Sequence, residues 1–320
     1  YDPDSAATGT AWATGFKSYD GAISVDVNGV PQKSLLEEAK AKGLRTGNVS
    51  TAELQDATPA VQAAHVSSRS CYGPIATLAT CPEAALENGG LGSITEQLID
   101  TRADVTLGGG AKTFDEVATA GQYQGTTLKQ QALERGYQIV NDAAGLAGIK
   151  RANQNQPVLG LFASGNLPVR WVGPEALSDG GKKAPVRCTE NADLPANQPT
   201  LVEMTNKAIS LLDTKRNGHY PLNAHLGLLL DDIIEDSRWD LTYLGMQIMV
   251  EGLALAAFGA MFHTTTKPLL KQLLRYVMSD EARHVAFGVL TLREFYEGLS
   301  DAEMRERQEF TFDCAERLRN

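Results

Sequence analysis

Positive charge is in short supply in this chain. Its 29 Lys and Arg face 39 Asp and Glu, a formal net charge of -10 with His neutral. That balance excludes a nucleic-acid binder working through a basic face, because phosphate contacts need one. Histidine is scarce as well: His65, His219, His225, His263 and His284 are the whole supply. No apolar run reaches the roughly eighteen residues of a membrane-spanning helix, so no membrane crossing is expected. No leader peptide is expected, since the chain opens on Tyr1-Asp2-Pro3-Asp4 without a basic and apolar start. Internal repeats and low-complexity linkers are lacking too.

What is there suits packed domains. The 320 residues are 42% hydrophobic and 21% charged, enough for two domains of ordinary size. The four cysteines split unevenly. Cys71 and Cys81 lie in the Gly/Pro-containing segment CYGPIATLATC, whose spacing suits a short-loop disulfide in an oxidising compartment. The alternative is that all four are free thiols. Cys188 has no evident mate, and Cys314, in a charged helical stretch, reads as a reduced cytosolic cysteine.

Texture changes near residue 214. Before it, Gly, Ala, Thr, Asn and Pro are plentiful, and short apolar runs alternate with helical segments. Asp104–Leu107, followed by Gly108-Gly109-Gly110, and Pro157–Ala163 read as buried strands. Thr95–Arg102, Thr127–Arg135 and Thr200–Leu212 read as helices. That alternation predicts a parallel α/β sheet. After about residue 220 only helices are expected: Ala224–Ile234, Arg238–Phe262, Pro268–Tyr296, and a charged one over Asp301–Arg319. Pro268 suits a first helical turn. The expected division is 1–213, a junction at 214–218, and 219–320.

Ser5, in DSAATGTA, stands where a helix of small residues begins. Helix N-termini present unpaired N–H groups and a positive dipole, so a serine there can attack phosphorus with the developing charge stabilised. The stretches DSAATGTAWATG (4–15), TGNVSTAELQDATPA (46–60), SSRSCYGP (67–74), GSITEQLIDTRADVTLGGGAKTF (92–114) and GLFASGNLPVRWVGP (160–174) run collinearly. Together they resemble bacterial alkaline phosphatase over about two thirds of the chain. By that resemblance Ser5 takes the place of the nucleophile that becomes phosphorylated. Arg69 takes that of the arginine gripping two phosphate oxygens, and Asp4 would help hold it. Thr58 matches a magnesium ligand, and Asp56 the carboxylate touching magnesium-bound water. His65 matches no ligand and sits in a helical AAHVSS context. Cys71 and Cys81 match a family disulfide.

The resemblance also implies two zinc ions, held mostly by downstream Asp and His residues that this sequence does not contain. An upstream aspartate and the first strand of the sheet are expected to be missing as well. A serine hydroxyl is a poor nucleophile without a base or metal, so hydrolysis is expected to be absent or very low. Gly108–Thr113 fails as a phosphate-binding P-loop, because Ala111 precedes Lys112 where glycine is required.

In the last third, Glu281-Ala282-Arg283-His284 is a Glu-x-x-His motif on a helix, and residues three apart share a face. Glu251 interrupts the apolar run QIMVEGLALAAFGAM, where a carboxylate is costly unless paired or metal-bound. Glu251 and Glu281 are equidistant from residue 266, so an antiparallel hairpin sets them level, roughly 20 Å from the turn. DDIIEDSRWDLTYLGMQIMVEGLALAAF with LLRYVMSDEARHVAFGVL resembles the third and fourth helices of ferritin-like diiron proteins. By that resemblance Glu251, Glu281 and His284 would be iron ligands, half of the family's set. Asp240 or Asp280 is expected to orient His284.

The expectations are therefore these. The fold is α/β with a partial parallel sheet, then an all-α ferritin-like helical hairpin, both incomplete. The function is hydrolysis of phosphate monoesters through a phosphoserine, inactive as written for want of zinc ligands. The alternatives are a diiron oxidoreductase or iron-binding protein completed by homodimerisation, and a non-functional fusion. The first part is expected to be periplasmic or extracellular, the second cytoplasmic.

Overall fold

The computed structural model describes residues 3–175, 177, 186–212, 224–236 and 238–319. The expected junction at 214–218, and His219 with it, lie outside the described residues. The chain divides into two compact units, 1–218 and 219–320.

In the first unit four strands form one parallel sheet: β1 (Gly47–Glu53), β2 (Val105–Gly109), β3 (Gln138–Val140) and β4 (Val158–Leu161), in the order β1-β2-β4-β3. β2 and β4 lie in the middle and every residue of both is buried. This is why their sequences read as unbroken apolar runs rather than as alternation. A short antiparallel pair, β5 (Trp171–Val172) and β6 (Thr189–Glu190), lies apart from this sheet.

The helices are α1 (Ser5–Thr14), α2 (Leu35–Ala41), α3 (Ala57–Ala60), α4 (Pro74–Thr80), α5 (Ile94–Thr101), α6 (Ala111–Phe114), α7 (Leu128–Glu134), α8 (Ala143–Gly148) and α9 (Leu201–Leu212). Ser34 with Glu37 and Ser93 with Glu96 form reciprocal capping boxes on α2 and α5. Gly109, the last residue of β2, is glycine because a Cβ there would come within 2.0 Å of the Gly165 carbonyl oxygen. Gly110 follows at φ +87°, a conformation L side chains rarely adopt.

Three apolar clusters fill this unit. One is built from small residues: Ala6, Ala13, Ala57, Ala60 and Ala64 pack with Ile23, Val61 and the Cys71–Cys81 disulfide. Cβ-poor faces let α1 and α3 approach closely, and Gly9 abuts Val61. Cys188 and Cys314 are outside any disulfide, and Cys314 is buried.

His65 is not helical, as its AAHVSS context suggested, but lies in a loop just before the isolated bridge of Val66 to Ile23. The loop wins because both ring nitrogens find acceptors there. Nδ1 lies 2.9 Å from the Ser24 carbonyl oxygen and Nε2 3.1 Å from Glu37 Oε1. Two acceptors require two ring N–H groups, the imidazolium.

The second unit is helical: α10 (Ala224–Glu235), α11 (Trp239–Tyr243), a π-helical segment Leu244–Val250, α12 (Glu251–Thr264), α13 (Pro268–Tyr296) and α14 (Asp301–Arg319). The stretch from Trp239 to Thr264 has the length and apolar composition to cross a membrane. This corrects the expectation that no run is long enough; Glu251 stands at its middle, where a carboxylate in a bilayer is costly. Leu229, Ile233 and Cys314 form one small core, and Leu241, Leu244 and Leu292 another. Between them Arg307 and Asp240 make a buried double contact, Nε to Oδ2 at 2.9 Å and Nη2 to Oδ1 at 3.2 Å.

Two outcomes test these packings. Burial lowers the His65 pKa, but Glu37 and the Ser24 carbonyl outweigh it and raise it above 6.5. Burial raises that of Glu37, but His65 and the Ser34 cap outweigh it and lower it below 4.5. The histidine's contribution is complete below about 6.5 and is lost as pH rises through the raised value. The carboxylate's is complete above about 4.5 and is lost as pH falls. Melting curves should show His65→Leu most destabilising between those values, with the gap to wild type shrinking at higher pH. In the second unit, Arg307→Met strands a buried Asp240 and should cost about 3–5 kcal/mol. Adding Asp240→Leu should restore part of that loss in denaturant unfolding followed by helical circular dichroism.

Candidate functional site

Asp4 caps α1: its Oδ1 accepts from the Ala7 N–H at 2.9 Å. Ser5 is the first helical residue, exposed at the helix N-terminus. Asp56 caps α3, with Oδ1 accepting from the Ala57 N–H at 2.8 Å. The packing of α1 on α3 therefore sets two capping carboxylates side by side. Arg69 reaches between them from the loop before Cys71, its own N–H tied to the Gly21 carbonyl at 2.6 Å.

The guanidinium donates three ways. Nη1 donates to Ser5 Oγ at 2.8 Å and to Asp4 Oδ2 at 3.2 Å. Nη2 donates to Asp56 Oδ1 at 2.6 Å. Among the described residues its Nε has no hydrogen-bond partner. The side chains of Arg69, Asp4 and Asp56 are each about a third exposed, at 33%, 27% and 30%.

Burial pushes the Asp4 carboxyl up, but the Ala7 and Gly21 N–H groups and Arg69 hold it below the usual value. Burial lowers the Arg69 pKa, yet Asp56 and Asp4 together raise it, so it stays charged. Tyr72, unremarked in the sequence, donates from its hydroxyl to Asp56 Oδ1 at 3.4 Å. Burial, then Asp56 and Glu53, push its pKa up to about 12, so it remains a donor. It sits inside SSRSCYGP, but no spacing rule distinguishes it there.

Thr58 is not drawn into this cluster. It is exposed and faces a cavity of about 550 Å³, lined also by Trp12, Asn48, Ser50 and Gln62. Cys71 and Cys81 are bonded, anchoring the loop two residues beyond Arg69.

In the second unit Glu251, Glu281 and His284 converge: one ligand atom from each lies within 4.8 Å of the others. His284 Nδ1 stands 3.3 Å from Glu281 Oε2 and 3.6 Å from Glu251 Oε2. Glu251 Oε2 is buried without a hydrogen-bond partner. Burial raises the Glu251 pKa, His284 opposes this, and Glu281 adds to it. The π-helical turn ends one residue before Glu251, and such turns recur at functional sites. The expectation that Asp240 or Asp280 orients His284 fails. Asp240 is taken by Arg307, and Asp280 pairs with Arg283 on its own helix.

The first unit is a parallel α/β unit that sets a helix-terminal serine hydroxyl against a guanidinium held between two carboxylates. The chain belongs to the alkaline phosphatase family, whose model matches residues 2–223. It is 60% identical over 221 residues to the alkaline phosphatase of Escherichia fergusonii, covering 69% of this chain and 47% of that protein. It is 59% identical, with the same coverage, to that of Escherichia coli. The crystal structure of a cold-active alkaline phosphatase from a psychrophilic Shewanella species is 34% identical. That match covers 66% of this chain and 39% of the other, at a TM-score of 0.46. The chain spans about half the length of the curated relatives it matches.

The Asp4 cap can be weighed directly. Asp4→Ala removes the acceptor for the Ala7 N–H and one of the two carboxylates on Arg69. Unfolding in denaturant should show a loss of about 1 kcal/mol, with the Cys71–Cys81 bond intact by mass spectrometry.

Proposed function

We propose that the first unit is the serine–arginine half of a phosphomonoesterase site, working on phosphate monoesters through a phosphoserine. The observation that carries this reading is the 2.8 Å contact of Arg69 Nη1 with Ser5 Oγ. A guanidinium there grips phosphate oxygens and neutralises charge as Ser5 Oγ attacks phosphorus. Asp4 holds the guanidinium in place. Tyr72 and the Ala57 N–H share the Asp56 Oδ1 that Arg69 also uses.

Two zinc ions do not fit the described residues. The sole grouping there of three or more His, Cys, Asp or Glu donors is at Glu251, Glu281 and His284, not at Ser5. His65 is committed to Ser24 and Glu37. Magnesium fits in part: Asp56 Oδ2 accepts no hydrogen bond among the described residues and waters complete such shells, whereas Thr58 faces a separate cavity and does not join it. Magnesium bound there would supply charge neutralisation beside Arg69. Among the described residues, no base stands at Ser5 Oγ, so turnover by this chain should be absent or very low. The disulfide supports an oxidising compartment for this unit, periplasmic or extracellular.

A second reading is favoured by the convergence of Glu251, Glu281 and His284. By it the second unit is a ferritin-like half-bundle, with these three residues holding a divalent transition ion, iron by the earlier resemblance. Carboxylate and imidazole donors suit iron, and a cation would satisfy the orphaned Glu251 Oε2. Such an ion would supply redox or Lewis-acid chemistry. A chain that joins these two modules, each with part of a site, accounts for both readings and for the texture change near residue 214.

Calorimetry with inorganic phosphate tests the first reading. Wild type and Ser5→Ala should bind it, whereas Arg69→Ala should bind about tenfold more weakly or not at all. Hydrolysis of p-nitrophenyl phosphate in zinc and magnesium should stay near background. Metal-dependent turnover abolished by Ser5→Ala would overturn the inactivity.

A further inference from the structure

The starts of the strands hold a second polar cluster, at the opposite end of the sheet from Ser5. Arg45 and Thr46 directly precede β1, Asp104 directly precedes β2, and residues 153–155 lie just before β4. Asp56 lies beyond the other end of β1, whose seven residues span about 23 Å. Lys40, Arg45, Asp104, Asn153, Gln154 and Asn155 line a cavity of about 340 Å³ at these strand starts.

Hydrogen bonds between distant segments fix its walls. Asp104 is 2% exposed. Its Oδ2 accepts from the Thr46 N–H at 2.9 Å, and its Oδ1 from Gln154 Nε2 at 3.1 Å. Arg102, at the end of α5, has φ +58°, a left-handed backbone that non-glycine residues rarely adopt. Its carbonyl accepts from Lys40 Nζ at 2.8 Å and from Gln154 Nε2 at 3.1 Å. Its Nε donates to the Gln154 carbonyl at 2.9 Å. Backbone of this kind persists where the surroundings over-determine it, and it gathers at ligand clamps.

Two cations in this cavity lack counter-ions. Half-buried Lys40 also donates to Gln154 Oε1 at 2.5 Å, and exposed Arg45 donates from Nη1 to the Ala152 carbonyl. These acceptors are all neutral, and among the described residues neither cation forms an ion pair. The chain has 39 acidic side chains against 29 basic ones, yet none is set against this pair. Burial lowers the Lys40 pKa; Asp104 opposes this, and Arg102 and Arg135 add to it. An anion beside Lys40 would offset the repulsion from those two arginines. Both cations keep further N–H groups for a ligand.

We propose that this cavity binds a small dicarboxylate, one carboxylate on the Arg45 guanidinium and the other on Lys40. Two positive charges held from separate anchors match two negative ends, and the planar guanidinium takes a carboxylate bidentately. The Asn153 and Asn155 amides add neutral hydrogen-bonding groups to the same cavity. A single phosphate would fill only a small part of it. The bound dianion would tie together three segments distant in sequence and stabilise the first unit by mass action. The proposal does not rest on the serine reading above.

Calorimetry with succinate on the full chain tests this. The expected result is one succinate per chain in the millimolar range, propionate about tenfold weaker, and a melting temperature that rises with succinate. Arg69→Ala, at the other end of the sheet, should bind succinate as wild type does. Arg45→Gln should weaken binding about tenfold. Asn155→Asp adds a negative charge and removes no side-chain hydrogen bond among the described residues. It should weaken binding as well, with circular dichroism unchanged. No heat from succinate in the millimolar range overturns the proposal, as does propionate binding equally well. Loss of succinate binding in Arg69→Ala moves the anion to the serine site and overturns it too. Inorganic phosphate binding that survives Arg69→Ala but not Arg45→Gln gives the cavity to phosphate and overturns the dicarboxylate. Should Arg45→Gln unfold the first unit, Asn155→Asp decides alone.

Discussion

Arg69 is the member on which the first site depends. From a loop pinned by a disulfide, its guanidinium binds three groups that come from two places, the start of α1 and the start of α3. Without that cation, Asp4 and Asp56 would be capping carboxylates brought together by α1–α3 packing with nothing to offset their repulsion. With it, the local charge is one cation against two anions. Small side chains are what make the arrangement geometrically available. Alanines and Gly9 between α1 and α3 bring the two helix starts near enough for one guanidinium to span them.

The second unit is organised by a different economy of charge. Its most buried ion pair, Asp240 with Arg307, locks α11 to α14 and has no part in the ligand triplet. The triplet gathers on the other long contact, α12 against α13, where Glu251 Oε2 is buried without a hydrogen bond, 3.6 Å from His284 Nδ1. Burying an unpaired carboxylate is unfavourable unless a cation or a proton compensates it. The raised Glu251 pKa expresses that cost.

Much of the fold was legible in local sequence. The strands at 105–109 and 158–161 announced themselves as apolar runs, and α13 by a proline in its first turn and a long helical pattern. Asp4, Ser5, Asp56 and Arg69 were legible only through resemblance, since none stands in a spacing that dictates its neighbours. Tyr72, the loop conformation of His65 and the pairing of Asp240 were not legible. Each is decided by a partner distant along the chain, such as Ser24 for His65 or Arg307 for Asp240. Thr58 shows the converse. It lies two residues from Asp56, yet helical rotation turns it to a separate cavity.

Sequence alone determined the strands at 105–109 and 158–161, the helical character after residue 224, and the level placement of Glu251 and Glu281. These follow from local hydrogen bonding, periodicity and the fixed rise of a helix. Tertiary structure alone decided which acceptors surround Arg69 and His65, and that Asp240 turns to Arg307. It also decided that a π-helical turn precedes Glu251. Those outcomes depend on which distant groups compete for one donor when helices pack, and no local pattern encodes that competition.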